Sequence, residues 1–138
     1  MRTIVARCGF RCDKCPAYTK NSRTKNDKTT GAAGWSRYFK IHVNPESLRC
    51  KGCLAGVCAG YDFPNEQCPI RLCAIERKLE NCAGCSEYPC STLEKQMKGV
   101  EKIIRRFKGK VPKKEFDRFI SPYDARKTLD GLRLKGAH

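Results

Sequence analysis

The clearest hydrophobic pattern lies in the last third of the chain, where it predicts helices. Apolar residues there recur at spacings of four and three: Leu93, Met97, Val100, Ile104 and Phe107. Such spacings place residues on one face of a helix, with the intervening lysines and arginines on its other faces. Ser91 and Glu94 have the spacing of a capping box, so we expect the helix to begin there.

Two shorter helices are predicted after it. Pro112 permits a helix that carries Phe116, Phe119 and Ile120. Ser121-Pro122 is expected to begin another, whose apolar positions are Tyr123, Leu129 and Leu132. All of these apolar positions are interpreted as core.

The first half of the chain is less regular. Thr3–Ala6 is predicted to be a short strand or an extended entry, and residues 20–34 an exposed polar loop without apolar periodicity. Trp35, Tyr38 and Phe39 then fit one face of a short helix that packs a small core. We expect Asn44-Pro45 to end this helix.

The centre predicts one further helix between two similar cysteine motifs. The motifs, residues 50–58 and 82–90, share the pattern C-x-G-C-x4-C. Pro69 suits a first helical position and leaves Cys68 at the helix N-terminus. Ile70, Leu72, Ile75 and Leu79 give the helix an apolar face through about residue 80. The fold class expected is a small, α-rich, irregular, metal-stapled domain with zinc-finger-like knuckles and little β-sheet.

The composition includes 11 cysteines in 138 residues, a content high enough to influence the fold. A disulfide framework and a set of metal sites are the two interpretations of such a content. The N-terminus lacks the apolar stretch of a secretory signal, and no run approaches the length of a membrane span, so a cytoplasmic location is expected. Disulfides are rare in a reducing cytoplasm, and an odd count leaves one thiol unpaired. Metal ligation is therefore favoured.

The cysteines fall into four groups: Cys8, Cys12 and Cys15; Cys50, Cys53 and Cys58; Cys68 and Cys73; Cys82, Cys85 and Cys90. Three C-x2-C pairs in one short chain strongly indicate metal, and a supply of thiolates favours closed structural zinc sites. Four ligands per ion give two zinc sites, and a third if His42 contributes. We interpret His42 as a surface or packing residue.

An iron–sulfur cluster is the alternative cofactor. Cys8, Cys12 and Cys15 have the C-x3-C-x2-C spacing of radical enzymes that use S-adenosylmethionine, but the chain is too short for their barrel. Cys15-Pro16 and Cys68-Pro69 are similar to the cysteine–proline pairs of ferredoxins, although the full ferredoxin run is absent. Zinc is favoured over iron.

Enzyme motifs are absent from the sequence. It contains no HExxH, no phosphate-binding loop, no dinucleotide fingerprint and only two histidines. A non-enzymatic role is therefore favoured, with no catalytic residue assigned.

The distribution of charge along the chain indicates which kind of partner the protein could bind. The formal net charge is +15, made up of +8 over residues 1–49, −1 over residues 50–90 and +8 over residues 91–138. Two basic arms thus flank a nearly neutral, cysteine-rich centre. Basic arms suit nucleic acid or an acidic protein partner, and simple solubility is the alternative. No membrane partner is expected, and nothing in the sequence specifies an oligomeric state.

The motifs resemble a cysteine-rich bacterial and archaeal family defined only as a domain of unknown function. The resemblance covers roughly residues 6–95 and runs through CGxxCxxC, CxGC, CPIRLCAIERK and CAGCSEYPC. It implies zinc binding by the ten matching cysteines, Cys8, Cys12, Cys15, Cys50, Cys53, Cys68, Cys73, Cys82, Cys85 and Cys90. Cys58 lies outside the pattern and is interpreted as a spare thiol.

These observations predict a structural zinc-binding protein that acts as an interaction or regulatory module. Residues 1–90 are expected to form the metal-binding domain, with residues 91–138 a basic helical segment packed on it. We expect Cys50 and Cys53 to share an ion with Cys68 and Cys73. The Cys82–Cys90 group should then take its fourth ligand from the N-terminal cysteines.

Overall fold

The computed structural model describes residues 3–48, 50 and 68–136 of the chain. Five α-helices lie within these ranges: α1 (Lys25–Phe39), α2 (Pro69–Glu76), α3 (Ser91–Phe107), α4 (Lys113–Phe119) and α5 (Ala125–Leu134). Short 3-10 turns occur at Cys12–Lys14, Thr19–Asn21, Pro45–Ser47, Cys82–Gly84 and Ser121–Tyr123. The described ranges contain two isolated β-bridges and no sheet, so the predicted α-rich class is confirmed.

Helix α1 corrects the prediction of a loop over residues 20–34. A capping box starts it, in which the Asp27 amide donates to Thr24 Oγ1 at 3.0 Å and the Thr24 amide donates to Asp27 Oδ2 at 3.2 Å. Its buried face consists largely of Gly31, Ala32 and Gly34. Small residues give no large apolar stripe, which is why a search for apolar periodicity missed this helix.

The C-terminal half of α1 carries the predicted aromatic face. Trp35 and Tyr38 are buried, and the helix ends at Phe39 rather than at Asn44-Pro45 because Lys40 adopts a left-handed conformation, with φ 58°. The absence of a side chain at Gly34 brings α1 close to α4. A Cβ at that position would lie 2.3 Å from Cδ1 of the Phe119 ring.

Helix α2 begins as predicted, with Pro69 as its first residue and Cys68 as its N-cap. It ends at Glu76, short of the expected residue 80. Its apolar face is only partly buried: Ile70 is 5% exposed, whereas Leu72 is 48% and Ile75 42% exposed. Ile70 therefore belongs to the described core, whereas Leu72 and Ile75 are exposed.

Helix α3 follows the predicted stripe, but its start differs. Leu93 and Met97 are buried, yet the N-cap residue is Cys90 and no side chain caps the helix. The predicted capping box is wrong because Glu94 is engaged elsewhere. Its carboxylate accepts two hydrogen bonds from Arg126, at 2.6 and 3.0 Å.

The last two helices are joined by the 3-10 turn Ser121–Tyr123. Helix α5 starts after this turn rather than at Ser121-Pro122, because Asp124 serves as its N-cap and accepts from the Lys127 amide at 3.4 Å. Phe119 of α4 and Leu129 of α5 are buried as predicted.

The N-terminal segment forms a tight loop against α5. Ala6 donates its amide to the Phe10 carbonyl at 2.8 Å, and Gly9 turns the chain with φ +97°. A Cβ at Gly9 would lie 2.7 Å from Leu129 Cγ, so glycine is required by both the conformation and the packing. This contact places the first cysteines against the last helix.

Cysteines are part of the core rather than appended to it. One buried cluster contains Cys8 and Cys12 together with Leu93, Met97 and Leu129. A second cluster contains Cys50, Trp35, Leu48 and Tyr123, with Cys15 packed against it. The cysteine side chains that could bind metal are therefore also packed in the hydrophobic core.

Candidate metal centre

The N-terminal cysteines lie beside Cys50. The Cys50 amide donates to the Ala17 carbonyl at 2.8 Å, and the Thr19 amide donates to the Cys50 carbonyl at 2.7 Å. These bonds form a parallel bridge between the two chain segments and fix Cys50 next to Cys15. Backbone hydrogen bonds, rather than closeness in the sequence, therefore bring Cys15 and Cys50 together.

Cys15 is held by a buried aromatic group. Its Sγ lies 2.9 Å from the Tyr123 hydroxyl, which also accepts a hydrogen bond from Trp35 Nε1 at 2.9 Å. The rings of Phe10 and Phe39 meet the Tyr123 ring edge to face, with centroids 5.1 and 5.2 Å away. Burial raises the pKa of the Cys15 thiol to about 12, and the Tyr123 hydrogen bond opposes this shift.

A second set of cysteines surrounds a small cavity of about 80 Å³. Four cysteines line it: Cys73, from α2, and Cys82, Cys85 and Cys90, from the segment that leads into α3. Apolar side chains, among them Ile70 and Leu93, form much of the remaining wall. The cavity therefore combines four soft sulfur donors with low polarity.

The Cys82–Cys85 pair sits on a fixed turn. Asn81 caps the turn by accepting from the Ala83 amide at 2.9 Å, and the Cys85 amide donates to the Cys82 carbonyl at 3.2 Å. The Glu87 amide then donates to Cys85 Sγ at 3.4 Å. An amide directed at sulfur favours a thiolate, as metal ligation requires.

Three arginines surround this turn. Arg77 donates to Cys85 Sγ at 3.7 Å, and Arg133 donates to the carbonyls of Ala83 at 2.8 Å and Cys85 at 3.2 Å. Arg7 donates to the carbonyl of Leu79 at 2.8 Å. Arg77 is also ion-paired with Glu87 at 2.5 Å, so Arg7 and Arg133 carry most of the charge that would offset a thiolate-bound metal centre.

The thiol pKa values follow burial and mutual repulsion. Burial, with a further contribution from the neighbouring Cys90, Cys85, Cys73 and Cys68, raises the pKa of Cys82 to about 11. Burial also raises the pKa of Cys8 to about 12, with contributions from Cys68 and Cys12. These repulsions show that both cysteine neighbourhoods would concentrate negative charge if deprotonated.

Cys8 belongs to the core cluster against which Cys68, Cys82 and Cys90 pack. The side-chain amide of Gln96 lies near Cys8 and lowers its pKa, although Gln96 Nε2 is buried and has no hydrogen bond of ordinary length. A buried donor beside a thiol is satisfied when the sulfur carries negative charge.

The structure accordingly groups the cysteines differently from the sequence-based expectation. Cys50 lies by Cys15 rather than by Cys68 and Cys73, while Cys73 faces the Cys82–Cys90 group. Cys53 and Cys58 lie outside the described residues. None of the nine described cysteines forms a disulfide. In the described ranges, no group of three or more cysteine, histidine, aspartate or glutamate side chains is arranged to hold a metal ion as it stands.

His42 is exposed, as its interpretation as a surface residue predicts, and its Nδ1 lies 3.0 Å from the Ser36 hydroxyl. Other residues at the cysteines were missed. Tyr123, Arg77 and Arg133 contact the cysteine neighbourhoods but carry no motif, because their contacts depend on tertiary packing. A single arginine or tyrosine in a basic helical segment gives no local signal of such a role.

Fold and site together define a small, mostly helical, cysteine-rich protein. No described helix has the length and apolar character needed to span a membrane. Residues 4–95 match the family described as "Protein of unknown function (DUF3795)", and the chain belongs to that family. The resemblance noted in the sequence is thereby confirmed. No curated protein and no solved structure matches the chain.

Proposed function

We propose that the protein is a structural zinc-binding protein in which thiolate-bound metal joins its segments into an interaction or regulatory module. The observation that carries the proposal is the convergence of Cys73, Cys82, Cys85 and Cys90 on one cavity. Four thiolates are the ligand set of a closed structural zinc site, which leaves no coordination position for catalysis.

The surroundings of the cavity support zinc in three ways. The Cys82–Cys85 turn is fixed by Asn81, so two ligands are already paired. The Glu87 amide and Arg77 point at Cys85 Sγ. Zinc with four thiolates carries a charge of about −2, which Arg133 at the carbonyls of the turn would partly offset. Ion binding then requires the sulfurs to turn inward from their described positions, in keeping with the coupling of zinc binding to folding.

A second metal position is proposed at Cys12, Cys15 and Cys50. These residues are close enough for their charges to interact, and Cys15 and Cys50 are fixed by side-chain and backbone hydrogen bonds respectively. Two zinc ions per chain are therefore proposed. Of the ten family-matching cysteines, these three and the four that line the cavity are the proposed ligands.

An iron–sulfur cluster is the competing occupant, because four cysteines also suit a cluster. Metal analysis separates the two directly, since zinc–thiolate sites are colourless and clusters absorb visible light.

The assignment of ligands is tested by comparing two substitutions on the same helix. Cys73→Ser and Cys68→Ser both alter α2, but only Cys73 lines the cavity. Cys73 is also exposed, so serine there removes little packing. We expect Cys73→Ser to lower the zinc content by about one ion per chain and Cys68→Ser to retain it.

Cobalt(II) substitution supplies a second measurement. The sulfur-to-cobalt charge-transfer absorption should fall in the Cys73→Ser protein, because one thiolate is lost from a tetrahedral site. Full zinc content and unchanged cobalt absorption in Cys73→Ser would contradict this ligand assignment. Loss of metal from Cys68→Ser alone would contradict it as well.

A further inference from the structure

One face of helix α3 is strongly basic and uncompensated. Its members are Lys95, Lys98, Lys102, Arg105 and Arg106, all exposed. At 3.6 residues per turn they fall within an arc of about 100°, opposite the buried Leu93 and Met97. None of the five forms an ion pair with an acidic residue that the structure describes.

The acidic residues of the same helix are removed from this face. Glu94 and Glu101 are the only acids of α3, and both are bound by Arg126 of α5. Arg126 reaches Glu101 Oε2 at 2.7 Å and Glu94 Oε1 at 2.6 Å. Both carboxylates are therefore held by Arg126 on the side of the helix that faces α5, although its single charge offsets only one of the two negative charges.

Ordinary helix electrostatics explains only part of this pattern. Cations in a last turn complement the helix dipole, which accounts for Arg105 and Arg106. Lys95 and Lys98 lie beyond the first turn of α3, where the dipole has little effect, so the dipole does not account for them.

The face also lacks apolar anchors. Among the described residues, the large apolar side chains that are exposed are Ile41, Leu72, Ile75 and Leu134, and none belongs to α3. Protein interfaces depend on buried aromatic or aliphatic anchors, and membrane-surface helices insert an apolar face. A basic face without apolar side chains suits a ligand whose surface presents mainly negative charge.

We propose that this face of α3 binds the sugar–phosphate backbone of double-stranded nucleic acid, without reading its sequence. From Lys95 to Arg105 the face extends about 15 Å along the helix. A duplex carries one phosphate per about 1.7 Å of its axis, so several phosphates lie within this span. Gly99 lies among the basic residues, and a Cβ added there would have no neighbour within 4 Å, which leaves room for close approach.

The test uses the full chain and fluorescence anisotropy with labelled 20-base-pair DNA and RNA duplexes of arbitrary sequence. Binding is measured between 50 and 300 mM NaCl. One variant replaces Lys95, Lys98, Lys102 and Arg105 by glutamine. The matched control removes the same charge from exposed positions elsewhere: Lys20, Lys25, Lys127 and Lys135.

We expect the wild-type chain to bind duplex with an affinity that falls steeply with salt. The α3 variant should bind at least about tenfold more weakly at 100 mM salt, with a log–log salt slope smaller by about 2–4, since each lost phosphate contact removes about 0.9. The control should change the affinity by less than about threefold. Circular dichroism and the zinc content of both variants should match the wild type.

Three results would overturn the proposal. Equal loss in the two variants would show that binding follows net charge rather than this face. Absence of a salt-dependent duplex interaction in the wild type would remove it altogether. Equal or tighter binding to polyglutamate or to vesicles rich in phosphatidylserine would assign the face to an acidic protein or a membrane surface instead.

Discussion

The contact between Gly34 and Phe119 gives a quantitative test of how α1 packs on α4. A Cβ added at Gly34 would lie 2.3, 2.4 and 2.7 Å from three atoms of the Phe119 ring. Ordinary carbon–carbon contacts are about 3.5–4.0 Å, so the ring or the helix would have to move by more than about 1 Å. Phe119 is only 4% exposed, which leaves the ring little space in which to move.

The free-energy balance for Gly34→Ala has two opposing parts. Overpacking a core of this kind costs about 1–3 kcal/mol, and the size of the overlap places the cost near the upper end. Alanine in a helix interior gains about 1 kcal/mol over glycine. The net effect expected is a loss of about 2 kcal/mol, or a fall in Tm of about 6–8 °C for a chain of this length.

Gly99→Ala is the matched control. Gly99 lies within α3, and no atom is found within 4 Å of an added Cβ. The same gain in helix propensity should then raise Tm by about 3 °C. Scanning calorimetry of both variants measures the difference. A Tm for Gly34→Ala that is equal to or above that of Gly99→Ala would refute the described packing of α1 on Phe119.

Two further predictions concern hydrogen-bonded side chains. Tyr123→Phe removes the hydroxyl that contacts both Cys15 and Trp35, so it should destabilise the fold by about 1–3 kcal/mol. It should also shift the fluorescence emission of Trp35, which is the single tryptophan. Unchanged emission and an unchanged Tm would argue against this contact. Arg126→Met should destabilise the fold at neutral pH, because it frees Glu94 and Glu101 to repel each other. The hydrogen bond from Arg126 lowers the pKa of Glu94, so the stabilisation is fully present above the ordinary glutamate pKa and is lost as pH falls from there through the lowered pKa of the folded protein. Urea titrations should show the difference from wild type shrinking below about pH 4 and at high salt, and a difference independent of both would contradict an electrostatic origin.

Sequence patterns predicted the elements that carry large apolar residues. Helix α3 was located by its stripe from Leu93 to Phe107, and α2 by the pair Cys68-Pro69. The part of α1 before Trp35 was missed because its buried residues include Gly31 and Gly34, which permit close approach of neighbouring segments. Small residues leave no hydrophobic signal, so their burial is visible only once the partner helix is known.

The cysteine content indicated metal, but the sequence did not determine which cysteines meet. Cys50 is placed beside Cys15 by backbone hydrogen bonds with Ala17 and Thr19, which no spacing rule contains. Cys73 reaches the cavity because α2 is oriented by the burial of Ile70. Which cysteines from distant parts of the chain come together is therefore decided by tertiary packing. The pairing of two cysteines within one C-x2-C turn is decided by local sequence.

Metal removal should have a large effect if zinc joins these segments. Structural zinc contributes about 10–16 kcal/mol in zinc-finger peptides, compared with about 5–15 kcal/mol for the net stability of an ordinary domain. A strong chelator should therefore abolish the cooperative melting transition and much of the helical dichroism. Restoring zinc should recover both signals, whereas magnesium at the same concentration should not.

The most direct test of the central claim is native mass spectrometry of the anaerobically purified chain, combined with its visible spectrum. We expect a colourless protein that carries two zinc ions. A protein that is fully folded without metal, or a brown protein that contains iron and acid-labile sulfide, would contradict the account.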